Sequence, residues 1–449
     1  MGLVGNRMDW AVAGGGVLGL TLASRLVRAG HRVTVFEAAS SVGGLATSWE
    51  VGDVVWDKFY HVILASDLHT RALLRELGLE QDLEWRETRT GFYSTRGLHS
   101  MSTSLDFLRF PLIGPIGKLR LAATIMYASR IKDWRALERI PVGEWLKKLS
   151  GRETYERIWL PLLRAKLGER YRDTSAAFIW TTIARMYAAR RSGMKREQFG
   201  YVRGGYRRIL EKLEASLLAD GVTIRTRSAI QRIDPVAGGG VTVHHAGGTQ
   251  RFDACVVTAA APVAARLCPA LAADERKRLE SIPYLGVVCA SVVLKQPLGG
   301  FYVTNIVDSS IPFTGVIEMT ALVDRDQVGG RTLVYLPKYV DPADPLLDES
   351  EDVIRERFTS ELLRMYPNHI TRDDIVAFRV ARARYVAALP TLNYSELVPP
   401  VRTSIPGLYL VNSSQIVNGT LNVNETVQLA NRAAASLLPE GFATQEKAA

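Results

Sequence analysis

Hydrophobic and polar positions along this chain follow two periods, and the changes between them mark its elements. Trp10 to Ala13 is a short apolar run that breaks at Gly14-Gly15-Gly16. From Val17 to Ala29 apolar residues recur at helical spacing up to Gly30, which predicts strand, tight turn and helix. His31 to Glu37 (HRVTVFE) is rich in β-branched residues and ends in an acid, so a second buried strand completes a βαβ unit. From about Leu68 to Gln198 the pattern is mostly helical, with helices expected over 68–77, 115–131, 142–149, 152–166 and 175–190, punctuated by Pro111, Pro115, Pro141 and Pro161. After Gly204-Gly205 come a helix over Tyr206–Ala219 and a strand over Val222–Arg225. Val241–His245 and Thr249–Phe252 predict a β-ribbon turning at Gly247-Gly248, followed by a buried strand over Ala254–Ala259. Strands dominate from about Val287 to Leu336, where a second sheet is expected. A strand at Leu408–Val411, a polar loop and a helix over Val423–Leu438 close the chain, and the last ten residues are expected to fray.

Composition narrows the class. A chain of 449 residues exceeds one typical domain, so two or three lobes that can bury a large cofactor are expected. With 47% hydrophobic and 23% charged residues it is neither disordered nor fibrous. The formal charge of +10 points to an anionic partner: a nucleotide cofactor, an acidic lipid surface or a nucleic acid. The basic residues are scattered through helical stretches and no nucleic-acid module is present, so nucleic-acid binding is not expected. Cys255, Cys268 and Cys289 stand far apart without a CxxC, which argues against a disulfide framework. No apolar segment with a cleavage site follows Arg7, and the chargeless stretch Ser404–Asn424 is too polar to span a membrane. A cytoplasmic location is expected, with membrane association left open.

The chemistry begins at Gly14-x-Gly16-x-x-Gly19, where a dinucleotide fold needs glycines: for the turn, for approach of a pyrophosphate, and for close packing of helix on strand. The helix beginning at Val17 and Leu18 would turn free N–H groups and a positive dipole end toward the phosphates. Glu37, with Ala38 beside it, ends the second strand where a carboxylate can accept from ribose hydroxyls. Gly43-Gly44, followed by Leu45, is a second loop free of side chains. It would let backbone reach the diphosphate from another side, as FAD needs and a plain NAD dehydrogenase does not.

The run VAGGGVLGLTLASRLVRAGHRVTVFEAASSVGGLATSW resembles the FAD-binding opening of the superfamily of protoporphyrinogen oxidase, phytoene desaturase, flavin amine oxidases and UDP-galactopyranose mutase. WDKFYHVI followed by LLRELGL resembles the segment that passes the flavin. GKLRLA, VGEWLKKLSGRETYERIWLPLLRAKLG and YVRGGYRRILEKLEASLLADGVTIRTRSAIQRI resemble protoporphyrinogen-oxidase-like members most, and the likeness runs from about Asp9 to Ala435. The resemblance implies an α/β fold: a Rossmann-like FAD-binding domain with a parallel sheet, ββα layers and a β-ribbon insertion, plus a mixed-sheet substrate domain and a helical lobe. The FAD-binding parts would be 8–90, 200–280 and 395–440, the helical lobe 91–199 and the substrate sheet 281–394. It also implies flavin contacts at Tyr60 and His61, an adenine contact at Ile230 in SAIQRI, and a strand-end contact at Ala259. The closing run GLYLVNSSQIVNGTLNVNETVQLANRAA would bind the ribityl diphosphate through Asn412 and Ser413 and aim the helix beginning at Val423 toward the flavin. Asn412-Ser413 departs from the usual Gly-Asp or Gly-Glu, and Leu45 stands where Arg is frequent.

No second GxGxxG leads a strand into a helix, so an inserted NAD(P)H domain is not expected, and electrons would leave to oxygen, a quinone or another acceptor. Cys289 stands where the resemblance puts the water-binding lysine of amine oxidases, which argues against amine oxidation. HExxH, a Cys/His cluster and GxSxG are all missing, so no metal is expected. His244-His245 is read as solvated ribbon. His61 is the candidate catalytic residue, to position substrate or shuttle a proton, with a packed histidine as the alternative. Arg164, Lys166, Arg203 and Arg382 could meet an anionic group, although solvated faces suit them better. Leu105–Trp134 mixes large apolar with basic residues, as a lipid-interface segment or a core-facing hairpin does. The expected reaction is two-electron dehydrogenation of a lipophilic polycyclic or isoprenoid small molecule, with hydride passing to the flavin N5. A non-redox isomerase of the mutase type and an FAD-folded binding protein without turnover are the alternatives.

Overall fold

The computed structural model describes residues 7–190, 198–417 and 420–438. Asn418-Gly419 of the closing segment and the tail expected to fray lie outside the described residues. Asp9–Ala13, the helix Val17–Arg28 and Arg32–Phe36 form the opening unit. Five parallel strands lie side by side in the order Leu408–Leu410, Ala254–Val257, Asp9–Ala13, Arg32–Phe36, Thr223–Arg225. This order brings three distant stretches of the chain together.

The helices Val17–Arg28 and Val423–Leu437 share one buried cluster that includes Leu20, Leu22, Leu26, Val427 and Ala430. Each fully buried leucine there contributes roughly 2 kcal/mol. Arg25 crosses between them, donating to Asn431 Oδ1 at 3.0 Å and to Glu76 at 2.7 and 2.8 Å. The opposite face carries the β-ribbon, which has three strands instead of two: Ile230–Pro235, Val241–His245 and Gly248–Phe252. Gly238-Gly239-Gly240, all at positive φ, make its first turn.

A seven-stranded sheet runs Ile375–Ala388, Tyr284–Leu294, Thr332–Val340, Gly315–Glu318, Val303–Ile306, Thr90–Ser94, Gly97–Ser100. Its pairings are antiparallel except Val303–Ile306 with Thr90–Ser94. Tyr284–Leu294 is buried on both faces, with Val288, Ala290 and Val292 on the helix Glu351–Met365 and Val287, Cys289 and Val293 on the other side. The stretch read as helical fails at 83–100: Leu83–Glu87 pairs with Gln198–Val202, and Thr90–Ser94 and Gly97–Ser100 join the large sheet. The rest of that stretch is a helical lobe around Trp145, Trp159 and Trp180. Gly151, at φ 81 and ψ 165, breaks the helix between 142 and 154. A π turn at Tyr155–Trp159 then leads into Pro161, whose missing N–H frees a carbonyl that a wider turn accommodates.

Candidate functional site

The two glycine loops meet. Gly43 N donates to Gly15 O at 2.7 Å, and Gly16 and Gly43 form a parallel bridge. Gly14 (φ 122) and Gly43 (φ 121) adopt backbone that side chains disfavour, and a Cβ on Gly19 would lie 1.9 Å from Gly14 O. Gly16 is different. Its φ of −72 and ψ of 173 suit any residue, and a Cβ there would meet nothing nearer than Gly44 Cα at 4.0 Å. The protein's own packing therefore does not require this glycine, and the space over it admits a ligand close to the backbone. The helix that starts at Val17 and Leu18 has no side-chain cap and no acid in its first turn, so its positive end is left for an anion.

Glu37 ends its strand beside the loop, accepting from Gly15 N at 2.9 Å through Oε2 and from Ala39 N at 2.8 Å through Oε1, with exposed Ala38 between. Each oxygen keeps a second lone pair for a ribose hydroxyl. Gly44 is exposed and Leu45 half-buried on the second loop. Ala259 follows the strand that lies against Asp9–Ala13. Ile230, half-buried, starts the ribbon at a register shift. His245, read as solvated, is buried: its Nδ1 meets Ser228 Oγ at 2.9 Å and its ring lies 4.9 Å from Phe36.

At the closing segment Asn412 is fully buried, accepting from Ser414 N and Oγ, while its Nδ2 has no partner among the described residues; Ser413 stays half-accessible. Val423 begins the last helix, which Asn422 caps by accepting from Glu425 N. Asn424, which the sequence reading passed over, accepts from His69 N and Thr70 N at 2.9 and 3.2 Å and so fastens this helix to the start of the helix Leu68–Glu76.

Between these loops and the large sheet runs the segment carrying Asp57, Tyr60 and His61. Asp57 Oδ1 accepts from Tyr206 N at 3.0 Å. Burial pushes the Asp57 carboxyl up to about 8 and the His61 imidazole down to about 4. His61 Nδ1 and Asp57 Oδ2 are 3.9 Å apart, beyond hydrogen-bond range, and Nδ1 has no hydrogen-bond partner among the described residues, so burial favours the neutral form of both groups. The Tyr60 and Tyr339 hydroxyls share a hydrogen bond of 2.8 Å, and burial raises both phenols. Lys166 Nζ lies 5.2 Å from the Tyr339 ring and 5.8 Å from that of Phe178. Tyr60, His61, Lys166, Phe178 and Tyr339 all keep some accessible surface, although desolvation governs the protonation of every ionisable one. Each is largely surrounded by protein yet partly accessible.

Cys289 belongs to this wall, fully buried, opposite Pro337 and Ala381, with its thiol pushed well up by burial. Of the four cations considered for anion binding, Arg164 pairs with Glu169, Arg203 with Glu84 and Asp326, and exposed Arg382 donates to Glu349 O. Lys166 departs from the solvated face expected of it. The period-two run Tyr335, Pro337, Tyr339 was the available sign that this face of the strand is special. All three cysteines are free and buried, and no group of acids, histidines or cysteines among the described residues could hold a metal.

A parallel sheet whose first turn and second-strand loop form one glycine cradle defines a dinucleotide-binding protein. A model of the family described as flavin containing amine oxidoreductase matches residues 19–438, and the chain belongs to that family. It is an FAD-dependent oxidoreductase. Zeta-carotene desaturase of Synechocystis sp. is 23% identical over 489 aligned residues, covering 95% of this chain and 98% of that protein. A probable zeta-carotene desaturase of Synechococcus elongatus is 26% identical over 265 residues, and this match spans only about half of each chain, 53%. The crystal structure of a protoporphyrinogen oxidase homologue from Exiguobacterium sp. superposes with a TM-score of 0.76 at 17% identity, covering 96% of this chain and 99% of that one, a likeness of fold.

Proposed function

We propose that this chain dehydrogenates a lipophilic small molecule, removing two electrons at an FAD held where the glycine loops, the 57–61 segment and the closing helix converge. The observation that carries the reading is the wall around Tyr60 and His61, aromatic and apolar, where burial favours the uncharged forms of Asp57 and His61. The desaturase relatives agree with a substrate of that character.

In this reading Gly14, Gly16 and Gly19 with the N–H groups of Val17 and Leu18 receive the diphosphate, and Gly43, Gly44 and Leu45 close on it. Glu37 and Ala38 meet the ribose, Ile230 and Ala259 flank the adenosine, and Asn412, Ser413 and the helix start at Val423 serve the ribityl and pyrimidine side. When bound, FAD supplies a two-electron acceptor that water and ordinary side chains cannot provide. The chain's own part is to exclude water and orient the substrate: Tyr60 and Tyr339 fix each other's hydroxyls, and His61, whose Nδ1 is enclosed by protein, has only its other ring nitrogen to offer for positioning substrate or carrying a proton. Oxygen, a quinone or another acceptor would reoxidise the cofactor. Leu105, Leu108, Ile116, Leu119, Met126 and Tyr127 are 47–75% exposed among Arg109, Arg120, Arg130 and Lys132, and this patch suits contact with an anionic bilayer that holds such a substrate. No helix among the described residues is long and apolar enough to cross a membrane.

Anaerobic mixing of the oxidised holoprotein with a detergent-dispersed polyene precursor and with a reduced tetrapyrrole tests this. Stoichiometric bleaching of the flavin by one of them is expected. Turnover of a sugar nucleotide only after prior reduction would replace the reading with the isomerase one, and no response to any of the three would remove dehydrogenation of these classes.

A further inference from the structure

Lys166 is a half-buried cation with no carboxylate beside it among the described residues. Its helix, Leu160–Leu167, presents Arg164 outward to Glu169 but turns Lys166 inward between the rings of Phe178 and Tyr339. Burial lowers its affinity for a proton and no neighbouring charge restores it. Two ring faces stabilise an ammonium partly, but they accept none of its three N–H donors in the way an oxygen does. A half-buried amine with donors to spare is partly desolvated, and that cost is offset when a bound group supplies the missing acceptor. Tyr339 ties this lysine to the proposed flavin site, because the hydroxyl of the ring under Lys166 is the one hydrogen-bonded to Tyr60. At Asp57 and His61, the acid and imidazole placed on this wall, burial disfavours the charged forms.

We propose that Lys166 anchors a carboxylate on an otherwise apolar substrate, so that the molecule oxidised is an amphiphilic acid and not a plain hydrocarbon. The inference rests on the dehydrogenase reading above, since it takes the space beside Tyr60 as the substrate site. The acid group lies against Lys166, Phe178 and Tyr339, and the carbon to be oxidised extends from there past Tyr60 toward His61. Lys166 binds and orients, and no bond is made or broken at it.

Decanoate and 1-decanol, both below their aggregation limits, serve as probes for the holoprotein, with the flavin absorption band as the reporter of ligands in the cavity. Decanoate is expected to perturb the band at concentrations roughly ten- to a hundred-fold lower than decanol, the range of a charge-assisted hydrogen bond. In Lys166→Met that preference is expected to vanish while decanol binding stays, and Lys166→Arg is expected to restore most of it. Equal affinities for acid and alcohol in the wild-type holoprotein would overturn the proposal, and this comparison decides it even where Lys166→Met fails to fold. A flavin-loaded protein that ignores the charge yet is bleached by a hydrocarbon polyene would sink the anchor and leave the dehydrogenase reading standing. A protein that discriminates for the acid but is bleached by nothing would do the reverse.

Discussion

Gly16 and Gly19 stand one helical turn apart and answer to different pressures. Gly19→Ala places a Cβ on Gly14 O, and about 3 kcal/mol of destabilisation is expected, seen as a lowered Tm and poor soluble yield. Gly16→Ala meets only Gly44 Cα at van der Waals distance and should fold with a Tm within a few degrees of the wild-type apoprotein. It should nevertheless purify with little flavin, because the volume it fills is the one assigned to the diphosphate; full flavin content in that variant would remove Gly16 from the site. His61 gives a pH test. Its imidazole titrates near 4 in the fold against 6.5 ordinarily, so the stability it contributes is complete above about 6.5 and is lost as pH falls through 4. Asp57, raised to about 8, acts oppositely, its share falling as pH rises from about 4 to 8. The Tm of His61→Gln relative to wild type should therefore rise as pH drops from 6.5 to 4.5, and a constant difference would mean that His61 is not desolvated. At this scale the glycines and Glu37 were legible because their reasons are local, a turn and a strand end. Lys166 was not, because one helix can turn a cation outward and another inward, and only the partner across the gap, Tyr339, decides which.

Among the elements, the helices Ser104–Arg109 and Pro115–Ala128 leave large apolar side chains uncovered. Gly117, Leu121, Thr124 and Ala128 face inward at helical spacing, yet Ile116 and Leu119 on the outer side are 75% and 72% exposed. The core-facing reading of Leu105–Trp134 describes the inner face, and contact of the outer face with a bilayer is the proposal. Ile116→Asp with Leu119→Asp should leave the Tm nearly unchanged, since neither residue is buried, and should abolish co-sedimentation with vesicles rich in phosphatidylglycerol. Unchanged sedimentation would sink the bilayer contact. Asn424 belongs to this scale too, because it joins two helices: Asn424→Ala leaves the N–H groups of His69 and Thr70 without their acceptor, and a cost of about 1–2 kcal/mol is expected in denaturant unfolding. The elements that the periodicity missed share a cause. Leu83–Glu87 and Thr90–Ser94 are short strands whose partners, Gln198–Val202 and Val303–Ile306, lie far along the chain, so nothing in their own neighbourhood marks them. The fourteen-residue strand Ile375–Ala388 was hidden in the same way, its arginines standing on an edge where they reach Glu50 O and Glu349 O.

At the scale of the whole molecule, the sheet order sets a strand from residue 9, one from residue 254 and one from residue 408 next to each other, and their loops open on a single cradle. Trp10 stacking on Tyr409 at 5.4 Å and Arg25 reaching Asn431 hold the two ends of the chain in that register. The visible spectrum of the purified protein probes this convergence most directly. A yellow preparation carrying close to one FAD per chain, lost on denaturation and regained on refolding with FAD, is the result expected. A colourless protein that takes up no flavin when refolded in its excess would contradict the account.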